Sequence, residues 1–224
     1  MKTIGKGLVS AALGLAAFGL MLFLPAGTFH YWQAWVFLGV FALSTWIPSI
    51  YLARTNPAAL ERRMHGGPLA ETRTLQRIVI SFLVICFLAM FVFSALDHRF
   101  GWSQVPTSIS MVGDVLVAVG LGVAMLVVIQ NGYAAANVTV EASQQLASTG
   151  LYGLVRHPMY TGNIILMVGV PLALGSYWGL VFLIPGLIVL ALRIRDEEAL
   201  LKQELRGYSE YEQQVRYRLV PYVW

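Results

Sequence analysis

The stretch YTGNIILMVGVPLALGSYWGLVFLIPGLIVLAL, Tyr160 to Leu192, contains no charged residue. Two apolar runs, Tyr160–Leu174 and Trp178–Leu192, are separated only by Gly175, Ser176 and Tyr177. At 15 residues each, they reach about 22 Å as helices, short of the roughly 30 Å hydrocarbon core of a bilayer. A helical hairpin this short thins the bilayer or starts below the membrane surface. The second arrangement leaves a recess walled by the hairpin.

Four longer apolar runs precede it: Gly7–Leu24, Ala34–Leu52, Ile78–Leu96 and Met111–Ile129, the last with Asp114 near one end. Of the 224 residues, 58% are hydrophobic and 12% charged. A soluble domain carries about 25% charged residues. The expected fold is therefore all-α: a polytopic integral membrane bundle of about six spans, the last two forming the short C-terminal hairpin. Residues 1–130 hold the N-terminal spans, and residues 131–224 hold a polar loop, the hairpin and a tail, in one membrane domain overall. Gly7–Leu24 is long for a signal core, and PAGTFHYW after it offers no small-x-small cleavage site. The single cysteine, Cys86, lies inside an apolar run, so neither a disulfide framework nor a cysteine metal site is expected.

Six spans put both termini on one side. Of 15 Lys and Arg residues only Arg99 falls opposite, which makes the shared side the cytosol. Both termini are therefore expected in the cytosol. Trp32, Trp35, Trp102 and Trp178 fall near the other boundary as interfacial anchors, and the loops there are short and nearly featureless. The cytosolic segments Ala53–Arg77, Gln130–Arg156 and Arg193–Trp224 are longer, so function is expected on that face. The sequon Asn137-Val-Thr139 lies there too and reads as chance.

In the tail, RIRDEEALLKQELR places acids before bases around an apolar stripe, the pattern of a helix leaving the membrane, with Gly207 available to cap it. The remaining YSEYEQQVRYRLVPYVW suits a segment lying at the interface, with Tyr208, Tyr211 and residues 216–224 as anchors.

Histidines 30, 65, 98 and 157 have no partner three or four residues away, so no metal site is expected. Phosphate loops, dinucleotide fingerprints, nucleophile elbows and strands are all missing, which leaves any cofactor to bind among helices. No nucleic-acid partner is implied. Two clusters remain. In QQLASTGLYGLVRHPMYTGN, Gln144 to Asn163, glycines 150 and 153 break helical structure. Pro158 suits the first helical position, and His157 before it is extended near the N-cap. Exposed N–H groups at such a terminus favour an anion, and Tyr160 in the first turn is within reach of the same ligand. Arg156 reads equally as a headgroup anchor. In RIRDEE, Arg193 and Glu197 are four apart on one helix face, either a simple ion pair or a functional pair. A charge such as Arg193 at the apolar boundary is expensive and needs a reason. Asp196 and Glu198 point elsewhere and read as solvated. The short hairpin loop brings Pro158–Tyr160 opposite Arg193–Glu197.

These clusters, in this order, resemble the isoprenylcysteine carboxyl methyltransferase family and its bacterial membrane relatives. The matching stretches are STGLYGLVRHPMYTGN, LALGSYWG, RIRDEEALLKQELRGYSEYEQQVRYRLVPYVW and, more loosely, NGYAAANVTVEASQQL, covering roughly Gln130 to Trp224. The resemblance implies a bacterial inner-membrane protein with its active site cytosolic and S-adenosylmethionine bound at the cytosolic membrane face. Tyr152, His157, Pro158, Met159 and Tyr160 would line it, Glu197 would match the cofactor-contacting glutamate, and Arg193 the catalytic arginine on the substrate side. Gln144, Gln145, Leu146 and Ala147 match an upstream cofactor-binding stretch, where Asn137 or Thr139 is the alternative polar contact. Methyl transfer from a sulfonium is an in-line displacement governed by positioning and desolvation. A carboxylate acceptor, with an ordinary pKa near 4, is already ionised at neutral pH and needs a cation rather than a base. The expected reaction is O-methylation of a carboxylate on a small hydrophobic, isoprenoid or lipid-like acceptor entering from the bilayer, where membrane lipids surround the protein. The rival reading is an NADPH-dependent membrane reductase of the sterol or steroid type.

Overall fold

Leu24, Ile184 and Leu43 are 76%, 66% and 61% exposed. In water each such side chain forgoes about 1.5–3 kcal/mol of burial; against lipid tails it forgoes nothing. The computed structural model describes residues 2–64, 71, 73–134 and 144–224, with side chains for residues 13–63, 71, 73–134 and 144–224. His65, Asn137 and Thr139 lie outside the described residues. The described chain runs α1 (Lys2–Ala26), α2 (Trp32–Thr55), α3 (Pro57–Met64), α4 (Thr74–Phe100), α5 (Thr107–Gln130), α6 (Pro158–Ala173), α7 (Leu183–Glu204) and α8 (Tyr208–Gln214). Short 3-10 turns at Gly150–Gly153 and Trp178–Phe182 precede α6 and α7, and the described residues contain no strand. The stretches Trp32–Thr55, Thr74–Phe100, Thr107–Gln130 and Trp178–Glu204 are long and apolar enough to cross a membrane, and Leu13–Ala26 and Pro158–Ala173 are shorter apolar helices. The all-helical polytopic membrane bundle expected from composition is the fold observed.

The hairpin differs in detail from its expected form. Only its first arm is short: the second continues without a break beyond Leu192 to Glu204, carrying polar residues out of the apolar zone on a rigid rod. The main packing partner of α6 is α5. Glycines explain this contact. A Cβ on Gly113 of α5 would stand 2.2 Å from the Ala173 backbone nitrogen, and one on Gly169 of α6 2.8 Å from that of Val117. Gly120 and Gly162 face each other's carbonyl oxygens just as closely. Small residues are what let two helices approach backbone to backbone in lipid, where there is no hydrophobic drive to associate. Beside this seam Leu22, Phe37, Phe91, Val117, Val170 and Leu174 form a fully buried core.

At the end of the bundle bearing Arg99, the loops are richer than their sequence suggests. Asp97 is fully buried and accepts from the Ser103 backbone N–H and hydroxyl, both at 2.6 Å, and from the Ser176 hydroxyl at 2.5 Å. Tyr31 stacks on His98 at 3.8 Å and donates to the Leu174 carbonyl at 2.6 Å. One carboxylate and one phenol thus tie three loops together.

At the opposite end the tail does not lie out along the interface. Gly207, at φ +83°, turns the chain from α7 into α8, a conformation that favours glycine. Tyr208 and Tyr211 are 3% exposed and pack with Leu146, Leu201, Leu205 and Val215, so they are interior residues and not membrane anchors. Residues 217–219 then pair with the start of α6: the backbone N–H groups of Arg156 and His157 donate to the carbonyls of Tyr217 and Arg218, both at 2.9 Å. The Thr161 hydroxyl donates to Leu219. Arg216, Val220, Pro221, Tyr222 and Val223 stay exposed and available for the anchoring role, Tyr222 and Val223 most of all at 89% and 79%.

Candidate active site

The start of α6 is set by its own sequence. His157 is the N-cap, at φ −125° and ψ 61°, and Pro158 takes the first helical position, where a missing N–H costs nothing. Tyr160 therefore stands in the first turn, facing α7. There its hydroxyl donates to Glu197 Oε2 at 2.5 Å and accepts from Arg193 Nε at 2.9 Å. Arg193 and Glu197 are joined through a phenol carried by a different helix. The arginine, 4% exposed, also donates to Glu71 Oε1 at 3.2 Å and Gln76 Oε1 at 2.9 Å. This answers why a charge stands at the apolar boundary: it is paired and hydrogen-bonded in full view of a buried carboxylate.

Asp196 and Glu198 are not solvated as expected. Asp196 accepts from Arg73 at 2.7 Å and from the Gln76 amide at 2.5 Å. Glu198, 3% exposed, accepts from Arg156 Nε at 2.9 Å and Arg218 Nε at 2.9 Å, with His157 Nε2 at 3.2 Å. Arg156 is correspondingly no headgroup anchor. It is 5% exposed, and it also donates to the carbonyls of Val215 and Arg216. The reason is geometric. Successive helical residues turn by about 100°, so Glu197 faces α6 while Glu198 faces the tail, and the returning tail covers a side of α7 that would otherwise be wet.

These elements enclose a cavity of about 300 Å³. Every residue that the resemblance places at the cofactor or acceptor borders it, apart from the alternatives Asn137 and Thr139, which lie outside the described residues. Gln144, Gln145, Leu146 and Ala147 come from the loop before the first 3-10 turn, Tyr152 from the turn itself, and His157, Pro158, Met159 and Tyr160 from α6. Arg193 and Glu197 come from α7. The cavity also takes Arg63 from α3, Ile80 and Leu83 from α4, Asn131 after α5, and Tyr208 and Tyr211 from α8. None of these was legible as a site residue. Arg63 had counted only as one more cytosolic base, and Ile80 and Leu83 as ordinary span residues. The same is true of Glu71 and Gln76, whose one signal was a polar side chain at the start of an apolar run.

The polar wall is pre-arranged. Asn131 Nδ2 donates to the Tyr152 hydroxyl at 3.2 Å, and the Tyr211 hydroxyl to the Tyr152 carbonyl at 2.7 Å. Burial pushes the phenols of Tyr152, Tyr208 and Tyr211 up, so each stays a neutral hydroxyl at neutral pH. The Tyr208 hydroxyl is buried with no hydrogen-bond partner among the described residues. An orphaned hydroxyl on a cavity wall is a donor waiting for a ligand atom or water.

Residues 109–206 match the family model for phospholipid methyltransferases. That stretch carries α5, α6, α7 and every cavity residue from Gln144 to Leu205. Over 88 residues the chain is 39% identical to the Delta(14)-sterol reductase of Mus musculus, an alignment covering 36% of this chain and 20% of that protein. The chain thus spans about a fifth of the length of this curated relative. The methyltransferase match does not single out the isoprenylcysteine carboxyl methyltransferases.

Proposed function

We propose that the protein is a membrane methyltransferase that takes its methyl group from S-adenosylmethionine and passes it to a hydrophobic or lipid-like acceptor. The observation that carries this reading is the shape of the cavity lining. A polar, aromatic wall of loop and tail residues meets Ile80, Leu83 and Leu190 from two spanning helices, with the Arg193–Tyr160–Glu197 chain between them. A water-soluble ligand and a membrane-dissolved one can meet only at such a junction. Its volume lies at the lower end of the ~300–1,000 Å³ of ligand pockets. The donor set fits the cofactor: aromatic faces at Tyr152, Tyr208 and Tyr211, amides at Gln144 and Gln145, the Glu197 carboxylate, and the unpartnered Tyr208 hydroxyl.

When bound, S-adenosylmethionine supplies an electrophilic methyl group on a sulfonium. The chain's own residues then position and dry the site. Arg193 and Tyr160 fix the Glu197 carboxylate, Glu198 holds His157, and the tail covers the cavity. His157 and Glu197 are both engaged with other side chains, so an acceptor that must lose a proton gains little from either. A carboxylate acceptor, ionised beforehand, suits this arrangement, which supports O-methylation of the isoprenylcysteine carboxyl methyltransferase type. The charge pattern supports a multi-pass protein with this cavity on the cytosolic side of its membrane.

A sterol-type reductase using NADPH is the second reading, favoured by the 39% match. Calorimetry on detergent-purified protein separates the two: saturable binding of S-adenosylmethionine and S-adenosylhomocysteine is expected, and binding of NADPH alone overturns the proposal. Arg193→Lys keeps the charge but not the forked contacts to Tyr160, Glu71 and Gln76. It is expected to misplace Tyr160 and Glu197, weakening S-adenosylhomocysteine binding and lowering labelled-methyl transfer into a membrane lipid extract together.

A further inference from the structure

Three arginines border the cavity, and their partners differ. Arg156 holds Glu198, and Arg193 holds Glu71, Gln76 and Tyr160. Arg63 has one hydrogen-bond contact among the described residues, from Nη1 to the Met159 sulfur at 3.7 Å, a weak acceptor.

Its position is not accidental. Asn56 caps α3 by accepting from the Ala59 N–H at 3.1 Å, and Pro57 opens the helix, so the turn is locally encoded. Ala59 and Leu60 pack against Leu52, Val128, Met125 and Met159. Arg63 follows them by four and three residues, on the same packed face. Its neighbour Arg62 turns away to the Gly132 carbonyl and the Tyr133 ring. An arginine meant only for the lipid headgroups would not be laid on the buried side of its helix. Burial pulls the Arg63 guanidinium down, and the phenols of Tyr160 and Tyr152 offset this only in part. A partly buried guanidinium facing a cavity, with no carboxylate in contact among the described residues, favours an incoming anion, and its planar fork matches a carboxylate.

We propose that Arg63 is the carboxylate-binding residue of the cavity. This rests on the methyltransferase reading for its two carboxylate sources, the amino-acid end of the cofactor and the acid group of the acceptor. Arg193, held by its internal partners, then orders Tyr160 and Glu197 and does not itself take that anion.

The test compares wild type, Arg63→Gln and Arg63→Lys in detergent, using four probes. S-adenosylhomocysteine and 5′-methylthioadenosine differ by the cofactor's amino-acid end; oleate and oleyl alcohol differ by the acid of a lipid-like acceptor. Arg63→Gln is expected to weaken the carboxylate-bearing member of one pair by about 10-fold or more, the size of one lost charge-assisted hydrogen bond. Its uncharged counterpart should stay within about twofold, with partial rescue by lysine. Loss for S-adenosylhomocysteine assigns Arg63 to the cofactor; loss for oleate assigns it to the acceptor. If both pairs respond equally in wild type and Arg63→Gln, the proposal falls. Should wild type bind neither adenosyl compound, the methyltransferase reading fails, and the oleate pair alone decides Arg63. Melting curves of the variants guard against misfolding, and Arg63→Lys supplies the answer if Arg63→Gln does not fold.

Discussion

The two ends of this bundle both bury carboxylates at a membrane boundary and settle them in opposite ways. At one end Asp97 is surrounded by small uncharged donors, Ser103 and Ser176, and the cluster is closed on itself. At the other, Glu198, Glu197 and Asp196 are held by arginines, a histidine, a phenol and an amide contributed by three separate segments, the start of α4, the entry into α6 and the tail. The first arrangement fastens loops. The second fastens loops around a cavity and leaves the Tyr208 hydroxyl and the Arg63 guanidinium facing it with little to bind.

The sharpest way to break the contrast is Glu198→Ala. It removes the carboxylate shared by Arg156, His157 and Arg218, leaves Arg156 only Glu212 and two carbonyls, and should cost about 3–5 kcal/mol, as for breaking a buried pair from one side. Melting in detergent should fall steeply, and cofactor binding should vanish with it. Asp97→Ala leaves three donors unsatisfied at about 1–3 kcal/mol for a group. It should lower the melting temperature while the surviving folded protein binds S-adenosylhomocysteine within about twofold of wild type. Gly113→Ala presses a methyl into the Ala173 backbone and should destabilise by about 1–3 kcal/mol, read by the same melt. Glu197→Gln should behave inversely to Asp97→Ala: melting nearly unchanged, and S-adenosylhomocysteine affinity down about 10-fold, as for one charge-assisted contact. If Asp97→Ala harms binding as much as Glu197→Gln does, the two ends are not functionally distinct. Tyr222→Ala, at an exposed position, should shift stability by no more than about 0.5 kcal/mol.

How far the site could be read in advance depended on whether its residues were neighbours in the chain. Gln144 to Ala147, His157 to Tyr160, Arg193 and Glu197 sit in two compact clusters with helix-start and helix-face logic, and all of them border the cavity. Arg63 and Ile80 reach the same cavity, and Glu71 and Gln76 the Arg193 that borders it, from a short helix, a loop and a span more than 60 residues upstream of the nearest cluster. Nothing local distinguishes them, because one arginine among many on the positive side satisfies a topology rule whether or not it lines a pocket. Asp196 and Glu198 were misread for a related reason. A charged helix beyond the membrane reads as wet unless the chain that covers it is known.

By itself, the sequence determined that this is a helical membrane protein, where its spans lie and where its polar clusters fall, because bilayer thickness and helix rise convert directly into run lengths. Tertiary structure alone decided which faces are covered. The glycine seam of α5 and α6 requires backbones to meet at a particular crossing, and the tail's return over α7 turns two solvated acids into buried ones. Both depend on which surfaces meet in space, and helical periodicity states only that a face exists, never what lies against it.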